Sequence, residues 1–287
     1  MVAKTSVRLV FDRFLLPTTT FRQSVCLRSG RGLVEAIEDC SKGVALEPAY
    51  DPVLRQITYR LPATSLGLVS GARYTISVFP PPGEVSSAGI RAFDGAPLSA
   101  ASSRDFTVRD TEPPDEPAEP PPADLCYDVT HGVFQSKCAT KGCHTGKGAE
   151  DHGLVLGAAE GLDLSTNAML RATALSRVAH ETQTGEHADV VEDSPSRFGR
   201  AMPILDPRRP GNSYLLYKLL ANADNGDPGA DSDKERQRIE EITRLRAAVV
   251  VGMPMPPQDG AGVQVDQPHL EKLSAWILQG APTATCK

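Results

Sequence analysis

The sequence predicts a protein of two domains, an all-β sandwich followed by an all-α domain. Short runs of alternating apolar and polar residues dominate the first 110 residues, and apolar residues at helical spacing dominate from residue 124. Between the two patterns, residues 111–123 contain six prolines and four acidic residues without apolar periodicity. Such a composition favours an extended, semi-rigid spacer. We therefore assign residues 1–110 to the β domain, 111–123 to a linker and 124–287 to the helical domain.

The strands of the first domain are predicted at 7–11, 56–61 and 73–79, where alternating residues lie between clusters of proline or glycine. The domain has no histidine, and acidic residues such as Asp12 and Asp94 stand beside arginine or glycine, as turn residues usually do. We expect no catalytic group there. Residues 11–17, 22–23, 50–52, 66–71 and 74–78 resemble bacterial immunoglobulin-like (Ig-like) domains of the SbsA type. The resemblance implies an Ig-like β-sandwich that acts as a structural or presenting module of an exported protein.

The helices of the second domain are predicted over 125–137, 212–220, 233–251 and 269–279. Leu125, Val129 and Val133 share one apolar face of the first helix, which leads directly into Cys138. Asn212 is expected to cap the second helix, and Gly280 to end the last one. Two aromatic residues are expected in the core of the domain, Tyr217 and Trp276.

The most specific feature of the chain is the segment Cys138-Ala-Thr-Lys-Gly-Cys143-His144. Two thiols with a histidine directly after the second are typical of a c-type haem, because each sulfur adds to a vinyl group and the imidazole ligates the iron. The sequence therefore predicts one covalent haem c, attached through Cys138 and Cys143 and ligated by His144.

The cysteine spacing departs from the usual one, because four residues rather than two separate the thiols. Thiols at i and i+5 do not share one face of a regular helix, so the backbone is expected to bulge, most easily at Gly142. Two other interpretations use the same residues. One is a disulfide between Cys138 and Cys143. The other is a zinc site with Cys138, Cys143 and His144, which would need a fourth ligand that no second Cys–His pair supplies.

The opposite axial ligand is predicted in the segment 252–257, Gly-Met-Pro-Met-Pro-Pro, where prolines favour a stiff, non-helical loop. Met255 is the first candidate, Met253 is the alternative, and Met202 is a distant third. Either methionine of the Met-Pro segment would complete a His/Met pair around the iron.

Histidine in place of methionine would lower the potential, so the loop histidines are further candidates for the distal ligand. Solvated loop histidines without a ligand role are nevertheless the ordinary case. The histidines concerned are His152, His180 and His187. His131 lies on the helix that leads to Cys138 and is not expected to reach the opposite face of a haem held by that helix.

The order of first helix, Cys-Cys-His segment, Met-Pro loop and terminal helix resembles class I c-type cytochrome domains of exported bacterial proteins. The residues that carry the resemblance are 133–138, 142–146, 161–165, 210–216, 255–257 and 273–281. It implies an all-α cytochrome c-like fold in which the first and last helices cross beside the haem. It also implies one-electron transfer with His144 and Met255 as ligands, and a carrier rather than an enzyme, because such an iron has no open position.

The six cysteines can be divided between haem attachment and disulfides. If Cys138 and Cys143 carry haem, we predict disulfides between Cys26 and Cys40 and between Cys126 and Cys286, although the sequence leaves other connectivities open. Covalent haem and stable disulfides both belong to oxidising compartments, so a periplasmic or cell-surface location is expected. No secretory signal is visible at the start of the sequence, and we expect a signal peptide, with or without a lipid anchor, to precede it.

The net charge is −6, and basic residues are dispersed, which argues against nucleic acid binding. The apolar runs are too short to span a membrane. Because residues 124–287 are acidic overall, a basic redox protein is the expected partner. Two alternative functions remain: a haem-based peroxidase or sensor, for which no distal base is identifiable, and a non-haem surface or adhesion protein stapled by disulfides.

Overall fold

The computed structural model describes residues 6–20, 24–30, 40, 43–62, 67–83, 88–108, 122–140, 143–145, 150–151, 154–155, 161–179, 202–222, 232–250, 255–256 and 265–283. The chain divides into two compact units. The first comprises Met1–Asp51 and Arg55–Glu119, and the second comprises Pro52–Leu54 and Pro120–Lys287. The proline-rich segment 111–121 lies outside the described residues.

The first unit contains two antiparallel sheets of three strands each. One sheet has the order β1-β4-β3, with β1 at Ser6–Val10, β3 at Glu47–Asp51 and β4 at Gln56–Arg60. The other has the order β2-β5-β6, with β2 at Val25–Ser29, β5 at Arg73–Val78 and β6 at Ser102–Thr107. The strands predicted at 7–11, 56–61 and 73–79 are confirmed as β1, β4 and β5.

Both sheets of the first unit contribute side chains to one hydrophobic cluster. Ile57 and Tyr59 of β4 are completely buried, and they share the cluster with Leu27 of β2 and Ile76 of β5. This burial explains the alternating sequence pattern, since every second side chain of a strand points to the same face. The hydrophobic effect therefore fixes the register of the central strands.

A disulfide between Cys26 and Cys40 closes a loop of the first unit, with the two Cα atoms 5.5 Å apart. This is the pair predicted from the sequence. Cys26 is completely buried on β2, opposite Ser77 of β5, and packs against the buried ring of Phe79.

The second unit contains five helices within its described residues. They are α1 (Pro122–Val129), α2 (Asn167–Thr173), α3 (Tyr214–Leu220), α4 (Ser232–Ala248) and α5 (Gln267–Leu278). A π-helix, Thr130–Cys138, continues directly from α1. All four predicted helices are present, but the first changes from α to π winding at Thr130. None of the described helices has the length and apolar character needed to cross a bilayer.

The predicted fold class, a β-sandwich followed by a large all-α domain, is wrong. The chain is mixed: it combines two small three-stranded sheets with short helices, and three of the five helices have eight residues or fewer. Within the second unit, β7 (Glu150–Asp151) pairs antiparallel with β8 (Leu154–Val155). Isolated bridges also join Leu175 to Leu205 and Val178 to Pro203.

The physical reason for this correction lies between the cysteine segment and α3. Pro203, Pro207 and Pro210 keep residues 203–210 out of a continuous helix, because proline lacks the backbone donor and fixes φ. The described backbone instead forms extended pairs, in which Ala179 N–H donates to Met202 O at 3.0 Å and Ser176 N–H donates to Leu205 O at 2.8 Å. Backbone groups that a helix would have paired locally are thus satisfied by distant partners.

The predicted cap of α3 is also corrected. Ser213, not Asn212, is the N-cap residue, and its side chain makes no capping bond to the helix. The Ser213 hydroxyl accepts from Asp206 N–H at 2.9 Å, while Asn212 Nδ2 donates to Asp206 Oδ2 at 2.6 Å. Both side chains therefore hold the preceding turn rather than the helix end.

The end of α5 follows the sequence prediction. Gly280 has φ of +98°, a conformation that favours glycine. Gly280 N–H donates to Ile277 O at 2.9 Å and Ala281 N–H donates to Trp276 O at 2.9 Å, which together form a Schellman motif. The chain after α5 is thereby turned back towards α1, where Pro282 O lies 2.8 Å from the Cys126 sulfur.

Cys126 is bonded in a disulfide. Its contact with Pro282 O is not a hydrogen bond, because a disulfide sulfur carries no proton. The predicted partner, Cys286, lies outside the described residues.

Candidate functional site

The Cys-Cys-His segment follows the continuous helix formed by α1 and the π-helix, here called the α1/π-helix. This helix packs against α5. The rings of Phe134 and Trp276 meet edge to face with centroids 5.7 Å apart, and both side chains are buried. Lys272 Nζ also donates to Asp128 Oδ2 at 2.5 Å across the same pair of helices. As predicted, Leu125, Val129, Val133 and Phe134 lie in the core, as do Tyr217 and Trp276. The start of the segment is therefore fixed by a well-packed helix pair.

The loop between the two cysteines closes on itself through backbone hydrogen bonds. Ala139 N–H donates to Phe134 O at 2.7 Å and ends the π-helix, and Cys143 N–H donates to Thr140 O at 3.0 Å. His144 N–H then donates to Cys138 O at 3.1 Å. The last bond brings the backbone of His144 back to that of Cys138 across the four intervening residues. The sequence predicts the bulge at Gly142, which lies outside the described residues.

Cys138 and Cys143 are free, half-buried thiols. The structure therefore does not contain the local disulfide that the sequence left open. The pKa of Cys138 is raised to about 12, mainly by desolvation and to a lesser extent by the neighbouring Cys143, while Lys137 lowers it. Cys138 is consequently a neutral thiol at physiological pH. A thiol must lose its proton to act as a nucleophile or to bind zinc, so Cys138 is poorly suited to either role.

His144 has a defined tautomer. Its Nδ1 lies 3.2 Å from Leu162 O, and because a carbonyl oxygen only accepts, Nδ1 carries the proton of this bond. In the neutral imidazole the lone pair is then on Nε2, which is the arrangement that a metal-ligating histidine adopts. Leu164 N–H donates to His144 O at 2.9 Å, so the backbone and the ring of His144 are bonded to the same short segment.

The segment that holds His144 is itself fixed by Thr173 of α2. The Thr173 hydroxyl accepts from Asp163 N–H at 3.1 Å, and its single proton lies within reach of both Asp163 O and Met169 O, each 2.9 Å from the hydroxyl oxygen. The Asp163 carboxylate accepts from Ser165 N–H at 2.9 Å and from the Ser165 hydroxyl at 2.6 Å. Thr173 therefore anchors the backbone of Asp163, the residue after Leu162. Its role was not predicted from the sequence, where only the stretch 161–165 was noticed.

Met255 is held separately, by the end of α3. Its N–H donates to Lys218 O at 3.3 Å, and the carbonyl of the next residue, Pro256, accepts from Asn222 Nδ2 at 2.7 Å. The peptide bond between Met255 and Pro256 is cis. Sequence analysis identified Met255 but missed Asn222, because nothing in the sequence links Asn222 to Pro256, which lies 34 positions later. Met253 lies outside the described residues.

The other potential axial ligands have different surroundings. Met202 is buried in the bridge to residues 178–179. The ring of His131 stacks on that of Tyr127 at 4.1 Å, and its Nδ1 lies near the Thr130 hydroxyl and Tyr127 O. His131 is thus engaged with residues of its own helix. The three loop histidines at 152, 180 and 187 lie outside the described residues.

A second concave site lies in the first unit. It is a cleft of about 220 Å³ that combines apolar and polar lining residues, among them Phe11, Asp12, Arg13, Leu15, Ile90, Leu98 and Ser99. Arg13 also forms an ion pair with Asp94 at 2.6 Å. The residues that line the cleft include no histidine or cysteine.

No group of three or more His, Cys, Asp or Glu side chains suited to a metal ion occurs in the part of the chain that the structure describes. Within those residues, the zinc interpretation therefore gains no support. The chain matches no protein-family model, and no curated protein is significantly similar to it.

Proposed function

We propose that this chain is a mono-haem c-type cytochrome that transfers one electron at a time outside the cytoplasm. Cys138 and Cys143 are the proposed attachment residues, His144 the proximal ligand and Met255 the distal ligand. The observation that carries the proposal is the bond from His144 Nδ1–H to Leu162 O, next to two free thiols on the same closed loop. A surface histidine needs no such restraint, whereas a haem ligand does.

The residues present fit a covalent haem better than a metal ion. A haem needs two thiols that are not already oxidised, one neutral imidazole and one further donor, and the four proposed residues supply that set. Once attached, the haem would supply the one-electron couple of its iron. The protein would supply the rest: the α1/π-helix positions the thiols, Leu162 O orients the imidazole, and α3 holds the methionine loop.

A carrier fits the described histidines better than a peroxidase or a gas sensor does. A peroxidase needs a base on the distal side, and the two remaining described histidines are both engaged elsewhere. His131 is bound to its own helical turn, and His269 to Asp266, whose pKa is lowered mainly by the hydrogen bond with that side chain. Two axial protein ligands also leave the iron no open position for a substrate.

The proposed location and partner follow from the same chemistry. The Cys26–Cys40 disulfide and thioether attachment both suit an oxidising compartment, so we place the protein in the periplasm or at the cell surface. The net charge of −6 favours encounter with a basic redox protein, mainly through the rate of association. The proposed relationship to class I c-type cytochromes concerns the ligand segments and the terminal helices, and does not extend to an all-α fold.

The test is the visible spectrum of the protein exported by cells with an active haem-attachment system. We expect a sharp α band on reduction, and a weak far-red charge-transfer band of the oxidised protein that indicates methionine ligation. Met255→Ala should abolish the far-red band and keep the α band. Met169→Ala, which changes an exposed methionine of α2, is the matched control and should keep both bands. A protein that is folded but colourless would refute the proposal and favour the disulfide-stapled surface protein.

A further inference from the structure

Asn222 lies at the end of α3 and is almost completely buried, with 4% of its surface exposed. Its Nδ2 donates to Pro256 O at 2.7 Å. One turn earlier, within α3 itself, which ends at Leu220, Lys218 O accepts from Met255 N–H at 3.3 Å. The two bonds hold the backbone on both sides of the Met255 side chain, one at its own nitrogen and the other at the carbonyl of the next residue.

The turn that carries Asn222 is itself held by further hydrogen bonds. Asn222 N–H donates to Leu219 O at 3.0 Å, and Ala221 N–H donates to Tyr217 O at 2.9 Å. Arg246 of α4 donates from Nε to Ala221 O at 2.8 Å, so a second helix fixes the same turn. A side chain anchored in such a turn can transmit its position to the loop that it binds.

The Asn222 side chain also retains an unpaired polar atom. Its Oδ1 is buried and has no hydrogen-bond partner among the described residues. An unsatisfied buried acceptor carries a free-energy cost that an apolar residue in the same place would not. Packing alone therefore does not explain why an amide occupies this position, whereas the bond to the Met255 loop does.

We propose that Asn222 is a positioning residue for Met255: its amide keeps the methionine loop in the arrangement that ligates the iron and so keeps the distal position closed to external ligands. The inference rests on the proposed function. Without the amide donor, the loop would leave α3 more often, and the fraction of protein with an open distal position would rise. An external ligand binds only the molecules whose distal position is open, so its apparent affinity measures how often the methionine loop leaves α3.

The experiment compares cyanide binding to the oxidised, haem-loaded wild type, Asn222→Asp and Asn222→Ala. Asn222→Asp has the same shape but presents a carboxylate oxygen to Pro256 O, so the bond becomes a repulsion. Asn222→Ala removes the donor together with the unpaired Oδ1. Asn167→Asp, at the start of α2, introduces the same charge elsewhere in the unit and serves as the control. We expect about tenfold tighter cyanide binding in the Asn222 variants, the ratio equivalent to the loss of about one buried hydrogen bond, and no change in the control.

A second readout does not use the haem as a probe. Hydrogen exchange at the Met255 amide should accelerate about tenfold in both Asn222 variants, because opening of the loop also breaks the bond to Lys218 O. The inference is overturned if a folded, haem-loaded variant binds cyanide within twofold of the wild-type affinity and its Met255 amide exchanges within twofold of the wild-type rate. The proposed function would then remain intact. Absence of haem from the wild type would instead refute the proposed function and this inference with it. If one variant fails to fold, the other decides between these results.

Discussion

At the scale of single residues, the site depends on hydrogen bonds that orient the proposed ligands. Leu162 O selects the tautomer of His144, and the Thr173 hydroxyl accepts from the N–H of Asp163, the residue after Leu162. The orientation of the His144 imidazole therefore depends on Thr173 of α2, which acts through the backbone of residues 162–163. Partners at this distance from a metal commonly tune both its affinity and its potential.

Thr173→Val should lower the free energy of unfolding by about 1–3 kcal/mol, because it leaves the Asp163 N–H without the hydroxyl that it binds in a partly buried site. Thr173→Ser retains the hydroxyl and is the matched control. Urea denaturation followed by far-UV circular dichroism measures the difference. Equal stability of the valine and serine variants would show that the hydroxyl does not hold the segment.

The pKa of Cys138 gives a prediction for the haem-free protein, prepared by export without the haem-attachment system. Burial raises this pKa from 9.0 to about 12 in the folded state. The folded state therefore keeps a proton that the unfolded state loses first, so the contribution to stability is complete below about pH 9 and is lost as the pH rises towards 12.

The measurement is urea denaturation of haem-free wild type and Cys138→Ala between pH 8 and pH 12. The wild type should lose more stability than the variant over this range, because only the wild type contains the Cys138 thiol, whose pKa is raised in the folded state. Parallel pH profiles for the two proteins would contradict the assignment of a raised pKa to Cys138.

At the scale of elements, the packing of the α1/π-helix against α5 is the main support of the site. Phe134 is 1% exposed and touches Trp276 edge to face. Phe134→Ala should destabilise the second unit by about 3–5 kcal/mol, since it leaves a cavity in the core. Tyr127→Ala, on the same helix but 49% exposed, is the control and should cost about 1 kcal/mol or less.

Thermal unfolding, followed by circular dichroism at the helical minimum, compares these two variants with wild type. If the two substitutions lowered the melting temperature equally, the contact between Phe134 and Trp276 would not be the principal support of the helix pair.

Sequence periodicity predicted the regular elements well where local pattern and tertiary packing agree. The apolar face of the first helix, the strands β1, β4 and β5, and the glycine stop after α5 are examples. It failed between the cysteine segment and α3, where bridges such as Leu175 to Leu205 pair residues 30 positions apart. Long-range backbone pairing of this kind has no local signature, and the change from α to π winding at Thr130 has none either.

The candidate site shows the same contrast between features that the local sequence reveals and features that depend on distant residues. Cys138, Cys143, His144 and Met255 are recognisable from residue type and spacing. Thr173 and Asn222 are not, because each acts through a hydrogen bond to a distant backbone group. Sequence reasoning therefore identified the proposed ligands and missed the residues that orient them.

At the scale of the whole molecule, the first unit is closed by a disulfide and the second contains the candidate site. Cys26 and Cys40 are 14 positions apart, and closing a loop of about this length restricts the unfolded chain by about 3 kcal/mol. Replacing both cysteines with alanine should destabilise the first unit by about that amount and leave the spectrum unchanged, since the proposed ligands all belong to the second unit.

Calorimetry of the wild type and of the double variant Cys26→Ala/Cys40→Ala measures this effect. A loss of haem absorbance in the folded double variant would contradict the separation of the disulfide from the site.

The most direct test of the central claim is intact-mass spectrometry of the denatured protein after export in cells with the haem-attachment system. We expect the mass of the polypeptide plus one haem, which stays attached through acid–organic extraction, and we expect the polypeptide mass alone for Cys138→Ala/Cys143→Ala. The bare polypeptide mass in a folded wild type, or haem that extraction removes, would contradict covalent attachment at Cys138 and Cys143.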